Sequence, residues 1–392
     1  MNDFGFSVDD RRLLSELRRD LHRHPELSWK EMRTQERLER ALLECGVTAV
    51  ERIAKTGLVA RIPGRMAGAP VIALRGDIDA LPITEATGLE FTSVHDGVMH
   101  ACGHDVHASW AVGAALLLAR NPAAGEVRII LQPAEEVGEG AAAVLASGAL
   151  DDVHMIFGAH VDRRFAVGEV VAQEGPLAAS TDTFSIVLHG AGAHGARPQE
   201  AADPVVGAAE LILTLQTIVS RRLDPALPGV VTVGSIHAGR ASNVIPETAE
   251  LTGTVRATTP ESRALLASEV ARLAHAVAAT HRLRAEVTVS EGTPPVVNTH
   301  AASLFAAQAV NDVLGPAALK PLGTTNMGGE DFAFYLERIP GCFLRIGARE
   351  AGGNRIAAHS PRFYPDEASL FVGAMVLAQC ARIAGNQATG MP

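Results

Sequence analysis

Three short apolar runs, VIAL at 71–74, VRIIL at 127–131 and MIFGA at 155–159, each break directly into ionisable residues: RGDIDALP, QPAEEVGEG and HVDRR. Between the first two lies HASWAVGAALLLAR, an alanine- and leucine-rich stretch that reads as a buried helix. Apolar strands alternating with helices point to an α/β sheet covered on both faces. In open sheets of this class ligands bind beyond the carboxyl ends of the strands, and the ionisable clusters fall at such ends three times over. The main domain is therefore expected to hold a mostly parallel central sheet flanked by helices. Leu14, Leu17 and Leu21 recur at helical spacing ahead of it, and a second helix is expected over about residues 30–45.

From about residue 181 the texture changes. TFSIVLHG alternates like a half-exposed strand, and residues 203–222 carry a helical stripe through Val205, Ala208, Ala209, Ile212, Leu215 and Val219. Two strand-like runs follow, GVVTVGSIHAG and ETAELTGTVRATT. A helix is then opened by Thr259 as N-cap and Pro260 at its first position, and a last strand by RAEVTVSEG. The order β-α-β-β-α-β is the ferredoxin-like arrangement. The expected domains are 1–180 with 291–392, and an inserted 181–290. A closing helix is expected over about 367–384.

Composition narrows the partners. A formal charge of −10, with lysine confined to Lys30, Lys55 and Lys320, argues against a nucleic-acid surface. Cys45, Cys102, Cys342 and Cys380 are scattered and form no CxxC pair, so no disulfide framework is expected. The first residues, MNDFGFSVDDRRLLSELRRD, lack the apolar core of a signal peptide. No run reads as a membrane span of ~18 apolar residues. A cytoplasmic protein that binds neither membrane nor nucleic acid is the expectation.

The chemistry concentrates in VMHACGHDVHAS, residues 98–109. Cys102 and His104 are two apart, so in an extended segment their side chains would point the same way. Thiolate with imidazole suits zinc and other divalent transition metals. A buried structural cysteine and a nucleophilic Cys–His pair stay open on this stretch alone. Other residues weigh on the choice. Adjacent Glu135 and Glu136 follow the second apolar run, His160 ends the third, His359 lies in AAHSP, and Asp77 and Asp79 follow the first. Cys102, His104, Glu136, His160 and His359 are too many ligands for one tetrahedral zinc and suit two ions ~3.5–4 Å apart. Glu135 is then left free as a general base. Cysteine favours zinc, while the carboxylate and imidazole ligands also admit manganese, cobalt or nickel.

The segments LHRHPELSWKE, RGDIDALPI, MHACGHDVHAS, LQPAEEVGEGA, GAHV, ASNVIPE, GGEDFAFY and AHSPRFYPDE, in this order over nearly the whole chain, resemble the metal-dependent aminoacylase family. The resemblance is to its branch of hippurate hydrolases, plant auxin-conjugate amidohydrolases and N-acyl-amino-acid amidohydrolases, within the dinuclear metallo-exopeptidase superfamily. It implies two divalent ions per subunit, zinc or manganese first, on Cys102, His104, Glu136, His160 and His359. Glu135 would activate a water, and Asp79 would support the metal site from behind. The inserted domain would be a lid and dimerisation domain. There His194, in GAGAHGARP, would hydrogen-bond the oxyanion, Asn243 would make a second polar contact and Arg256 would grip a substrate carboxylate. A homodimer through the lid, or a tetramer, and a small N-acyl amino acid or peptide-like substrate are implied as well. The chain departs from the wider superfamily in carrying Asp77-x-Asp79 where that has His-x-Asp. Its Cys-x-His pair fits the aminoacylase branch. Rival substrates for the same site are dipeptides, N-acetyl-diaminopimelate and deaminase substrates. A non-catalytic metal-dependent binder would have no need of the free Glu135 carboxylate. His22 and His24 receive no chemical role.

Overall fold

The computed structural model describes residues 5–386. The chain divides into two compact units, one of Met1–Gly175, Asn298–Gly323 and Asp331–Pro392, the other of Pro176–Val297 and Thr324–Glu330.

The first unit is built on a seven-stranded sheet. Its strands are β1 (Val50–Ile53), β2 (Gly57–Ile62), β3 (Ile72–Asp77), β4 (Val127–Gln132), β5 (Met155–Ala166), β6 (Val170–Val171) and β7 (Gly341–Arg349), in the order β1-β2-β4-β3-β5-β7-β6. The pairs β3–β4, β3–β5 and β5–β7 are parallel. The outer pairs β1–β2, β2–β4 and β6–β7 are antiparallel. The sheet is therefore mixed rather than mostly parallel. Only three residues join β1 to β2, and so short a link can connect only antiparallel neighbours. Every residue of β3 and of β4 is buried, as expected of central strands covered on both faces.

Helix α1 (Val8–Arg23) opens on a capping box between Ser7 and Asp10 and buries Leu14, Leu17 and Leu21. Helix α2 (Met32–Glu44) and helix α3 (His104–Arg120) follow, and 14 of the 17 residues of α3 are buried. The helix Ala368–Gly385 lies against α3, and a Cβ on its Gly373 would come within 2.3 Å of the Trp110 ring. This helix is long and apolar enough, at mean hydropathy 1.5, to cross a membrane, contrary to the expectation that no run would be. It is instead a core helix, 78% buried in the fold.

In the second unit the strands Gly229–Ala238, Thr248–Ala257, Asp182–His189 and Arg284–Ser290 form, in that order, an antiparallel sheet. Alternate residues of Asp182–His189 are buried, so one face is packed. The helices Pro204–Arg221 and Pro260–Thr280 share a core with it through Ile186, Leu188, Leu211, Leu215, Leu251 and Val270. Asp203 caps the first helix through Val205 and Val206, and Thr259 caps the second with Pro260 at its first position.

Candidate metal centre

Helix α3 starts at His104 itself, and its N-cap, Gly103, has φ +93°. Cys102 and His104 are thus brought together by a left-handed turn into a helix, not by strand alternation as the spacing alone suggested. A Cβ on Gly103 would lie 2.6 Å from Val161 Cγ2, so only glycine fits both the dihedral and the space. Strand β4 ends at Gln132, and Glu135 and Glu136 follow on the loop. Strand β5 does not end at His160 as expected. It runs on to Ala166, because its pairing with β7 continues to Arg349. His359 adopts φ +66°, and its N–H donates to the Ala101 carbonyl at 2.8 Å, fastening it next to Cys102.

The donor atoms converge. Cys102 Sγ lies 3.2 Å from His160 Nε2, and His359 Nε2 lies 3.4 Å from Glu136 Oε2. His104 Nε2 is 3.8 Å from a carboxylate oxygen of each of Glu135 and Glu136. Cys102 with His104 and His160, Cys102 with Glu136 and His359, and His104 with Glu135 and Glu136 each offer ligand atoms within 4.8 Å of one another. All five expected ligands, and Glu135, are therefore in one cluster of the first unit.

The hydrogen bonds fix which imidazole nitrogen faces the cluster. His104 Nδ1 meets the Asp79 carbonyl at 2.9 Å and Asp79 Oδ1 at 3.2 Å, both acceptors, so Nδ1 carries a proton. His160 Nδ1 likewise donates to the Val161 carbonyl at 2.7 Å. Each histidine is left able to present a lone pair on Nε2, the arrangement of a metal-ligating imidazole. His104 Nε2 and Glu136 Oε1 are buried without a hydrogen-bond partner. Orphaned buried polar atoms are costly, and two facing each other across 3.8 Å, beside a buried thiol, fit a cation.

Burial, then the Glu136 charge, holds the Cys102 thiol well above its ordinary pKa. A thiol so held is not an activated nucleophile. Burial pushes His160 down, with His107 adding to it, and keeps that ring neutral. His359, the exposed member, is pushed up by its hydrogen bond to Glu136.

Asp77, noted in the sequence, and His107, which flanks the cluster, carry the support together with Arg75, Gln132 and Asp331, which the sequence pattern does not single out. His107 Nε2 accepts the Val161 N–H at 3.0 Å, so its Nδ1–H donates to Asp77 Oδ1 at 2.6 Å. Asp77 is paired with Arg75, whose Nε donates to Gln132 Oε1 at 2.8 Å. Gln132 in turn donates to both oxygens of Asp331, at 2.9 and 2.8 Å. Burial disfavours the Asp77 charge, but the Arg75 guanidinium and the two histidines hold its pKa well below the usual range. Asp77 therefore lies behind His104 and His107 in a buried chain of charges. The signal for these residues was present in RGDID, HDVHAS, LQPAEE and GGEDF, but nothing in those strings says which side chain faces which.

On the second unit, His194 is exposed. Its Nδ1 accepts the Ala196 N–H at 3.1 Å, which puts the proton of the neutral ring on Nε2. Gly195 N–H donates to the Asn243 carbonyl at 2.7 Å, so the His194 and Asn243 segments run side by side. Arg256 lies on the strand Thr248–Ala257 opposite Val230 and is half-buried.

Residues 73–383 match the model of peptidase family M20/M25/M40. The chain is 40% identical over 384 residues to an N-acetyl-L-cysteine deacetylase of Bacillus subtilis, covering 97% of this chain and 90% of that protein. It is 37% identical over 375 residues to the IAA-amino acid hydrolase ILR1-like 4 of Arabidopsis thaliana, covering 93% and 84%. Among solved structures it superposes on a dinuclear metal-binding peptidase of the M20 family from Bacillus subtilis with a TM-score of 0.85. That pair is 38% identical, with 96% of this chain and 99% of that one covered. With its matched residues spanning the sheet, the candidate cluster and the inserted unit, the chain belongs to peptidase family M20/M25/M40 and, with it, to the metal-dependent amidohydrolases.

Proposed function

We propose that this protein hydrolyses the amide bond of N-acyl amino acids, using a water activated at a two-metal centre. The observation that carries this reading is the pair of buried, unpartnered atoms, His104 Nε2 and Glu136 Oε1, facing each other beside Cys102 and next to Glu135. Cys102, His104, Glu136, His160 and His359 would hold two divalent ions, zinc or manganese by donor chemistry, with cobalt and nickel admissible. Bound there, the metals would acidify a water and polarise the amide carbonyl. The relative that deacetylates N-acetyl-L-cysteine and the solved dinuclear neighbour support both the reaction and the metal count.

The protein's own part is proton traffic and orientation. Glu135, 10% exposed and within 3.8 Å of His104, takes the proton of the attacking water and returns it to the leaving nitrogen. Asp79 keeps His104 in the tautomer that points Nε2 inward. His194, with its proton on Nε2, is the proposed donor to the oxyanion, a contact that strengthens in the transition state. Asn243 and Arg256 are proposed as substrate contacts, Arg256 for the free carboxylate. The second unit, 181–290 in the sequence reading, is proposed as a lid through which two copies form a homodimer, with a tetramer as the larger assembly.

Glu135→Gln tests the assignment. We expect metal content and fold to persist while kcat falls by roughly 10²–10⁴-fold. Near-normal turnover would remove Glu135 as the base. A panel of N-acetyl, N-benzoyl and dipeptide substrates separates acylase from dipeptidase or deacetylase use of the same site.

A further inference from the structure

The segment HPELSWKEMRT, residues 24–34, contributes none of the metal-binding or proton-transfer groups above, yet it reaches into the loop that carries them. Ser28 Oγ donates to Asp79 Oδ2 at 2.7 Å, and the same oxygen accepts the Glu136 N–H at 3.0 Å. Glu31 is wholly buried. Its Oε1 accepts the Ala134 N–H at 2.9 Å, and its Oε2 accepts the Thr56 hydroxyl at 2.7 Å. The two peptide N–H groups that flank Glu135 thus each end on a buried carboxylate, Glu31 on one side and Asp79 on the other.

Ala134 has φ +54°. The left-handed region is costly for a residue with a Cβ, and such strain persists only where the surroundings over-determine it. The Ala134 carbonyl is also occupied, accepting from Glu139 and Gly140 N–H at 3.3 and 3.1 Å. That leaves the Glu31 bond as the hold on its amide side. A free carboxylate in the interior is expensive unless its lone pairs are used, and Glu31 spends one oxygen on the residue directly before the base.

We propose that Glu31 is a positioning residue for hydrolysis: by holding the Ala134 peptide in its left-handed turn it aims the Glu135 carboxylate. The inference rests on the reading of Glu135 as the base. The competing explanation is a structural tie, in which Glu31 merely fastens α2 to the β1–β2 turn through Thr56.

Three variants separate these, read by steady-state kinetics on N-acetyl-L-cysteine, by metal content and by melting temperature. Glu31→Ala removes the acceptor for Ala134. Its kcat should fall roughly 10–100-fold with KM and metal content near wild type, since a misaimed group costs rate rather than binding. Glu31→Gln can accept from Ala134 through Oε1 and donate to the Thr56 hydroxyl, which accepts as well as donates, so it should restore kcat to within a few-fold. Thr56→Val removes only the tie to the hairpin and should lower the melting temperature while leaving kcat within a few-fold. Normal kcat in Glu31→Ala, or equal losses of kcat in Glu31→Ala and Thr56→Val, would overturn the proposal. Glu31→Met, which keeps the volume, replaces Glu31→Ala if that chain does not fold, and failure of both to fold assigns Glu31 to structure alone. Glu135→Gln is run alongside. If it turns over normally the base reading fails and this proposal falls with it. If it is inactive while Glu31→Ala is normal, only the positioning role fails.

Discussion

Gly103→Ala puts the turn that delivers both Cys102 and His104 to a quantitative test. Two costs add. At φ +93° an alanine pays about 1–2 kcal/mol for the left-handed region. Its Cβ would also lie 2.6 Å from Val161 Cγ2, with Pro365 Cγ at 3.4 Å and Phe363 Cε1 at 3.5 Å behind. Val161 is 3% exposed and fixed in β5, so the methyl cannot swing away, and overpacking of this kind costs about 1–3 kcal/mol. The expected destabilisation is about 2–5 kcal/mol, measured by urea unfolding of the first unit's signal. Relief of the overlap has a direction, since pushing Val161 moves the carbonyl that orients His160 and the N–H that anchors His107. Metal affinity should fall about 10–100-fold, as when an outer partner of a ligand is lost, read by competition with a chromophoric chelator. Gly68→Ala is the control. Its φ is +77° and nothing lies within 4 Å of the added Cβ, so it pays the dihedral cost alone. If Gly103→Ala is no less stable than Gly68→Ala and keeps its metal, the turn does not set the ligand geometry.

Two further outcomes are expected. Cys102→Ala should lose metal and activity together, by elemental analysis and turnover, whereas a nucleophilic Cys102 would leave metal binding intact and yield an acyl-thiol intermediate detectable by mass spectrometry. His22 is buried with Asp105 Oδ2 at 2.9 Å from Nδ1 and Glu85 Oε1 at 3.0 Å from Nε2. Burial, helped by Arg18, opposes its charge, but the two carboxylates outweigh it and raise the pKa. The stabilisation is thus fully present below its unfolded value of about 6.5 and lost as pH rises through the higher folded value. His22→Gln should cost about 3–5 kcal/mol at neutral pH, as breaking a buried pair does, and flatten the alkaline fall of the melting temperature. An unchanged alkaline slope would refute the buried imidazolium.

The sequence was informative where identity alone decides. Cys102, His104, Glu136, His160 and His359 could be named together because few other residue types bind metals, and because the eight ordered segments resemble a family that uses them as ligands. Direction was not legible. The Cys-x-His spacing suggests strand alternation, and only the φ of Gly103 reveals a turn into α3. Apolar runs locate β3, β4 and β5, yet the antiparallel edge through β1 and β2 depends on the three-residue link at 54–56, whose sequence carries no strong turn signature. Arg75, Asp77, His107 and Glu31 work through partners dozens or hundreds of residues away, and one chain contains no record of such pairings.

The late position of β7 has a consequence for synthesis. Strand β5 needs β7 on its outer side, but Gly341 lies 166 residues after Gly175 (341 − 175 = 166). At ~5–20 residues per second a ribosome takes roughly 8–33 s to cover that distance. Throughout that interval the nascent first unit holds Phe157, Ala159 and Val161 on an unsealed sheet edge, the kind of surface that pairs with other chains. The residues of the intervening unit emerge whole in the meantime. Nascent chains paused before Gly341 are thus the form of this protein most in need of a chaperone.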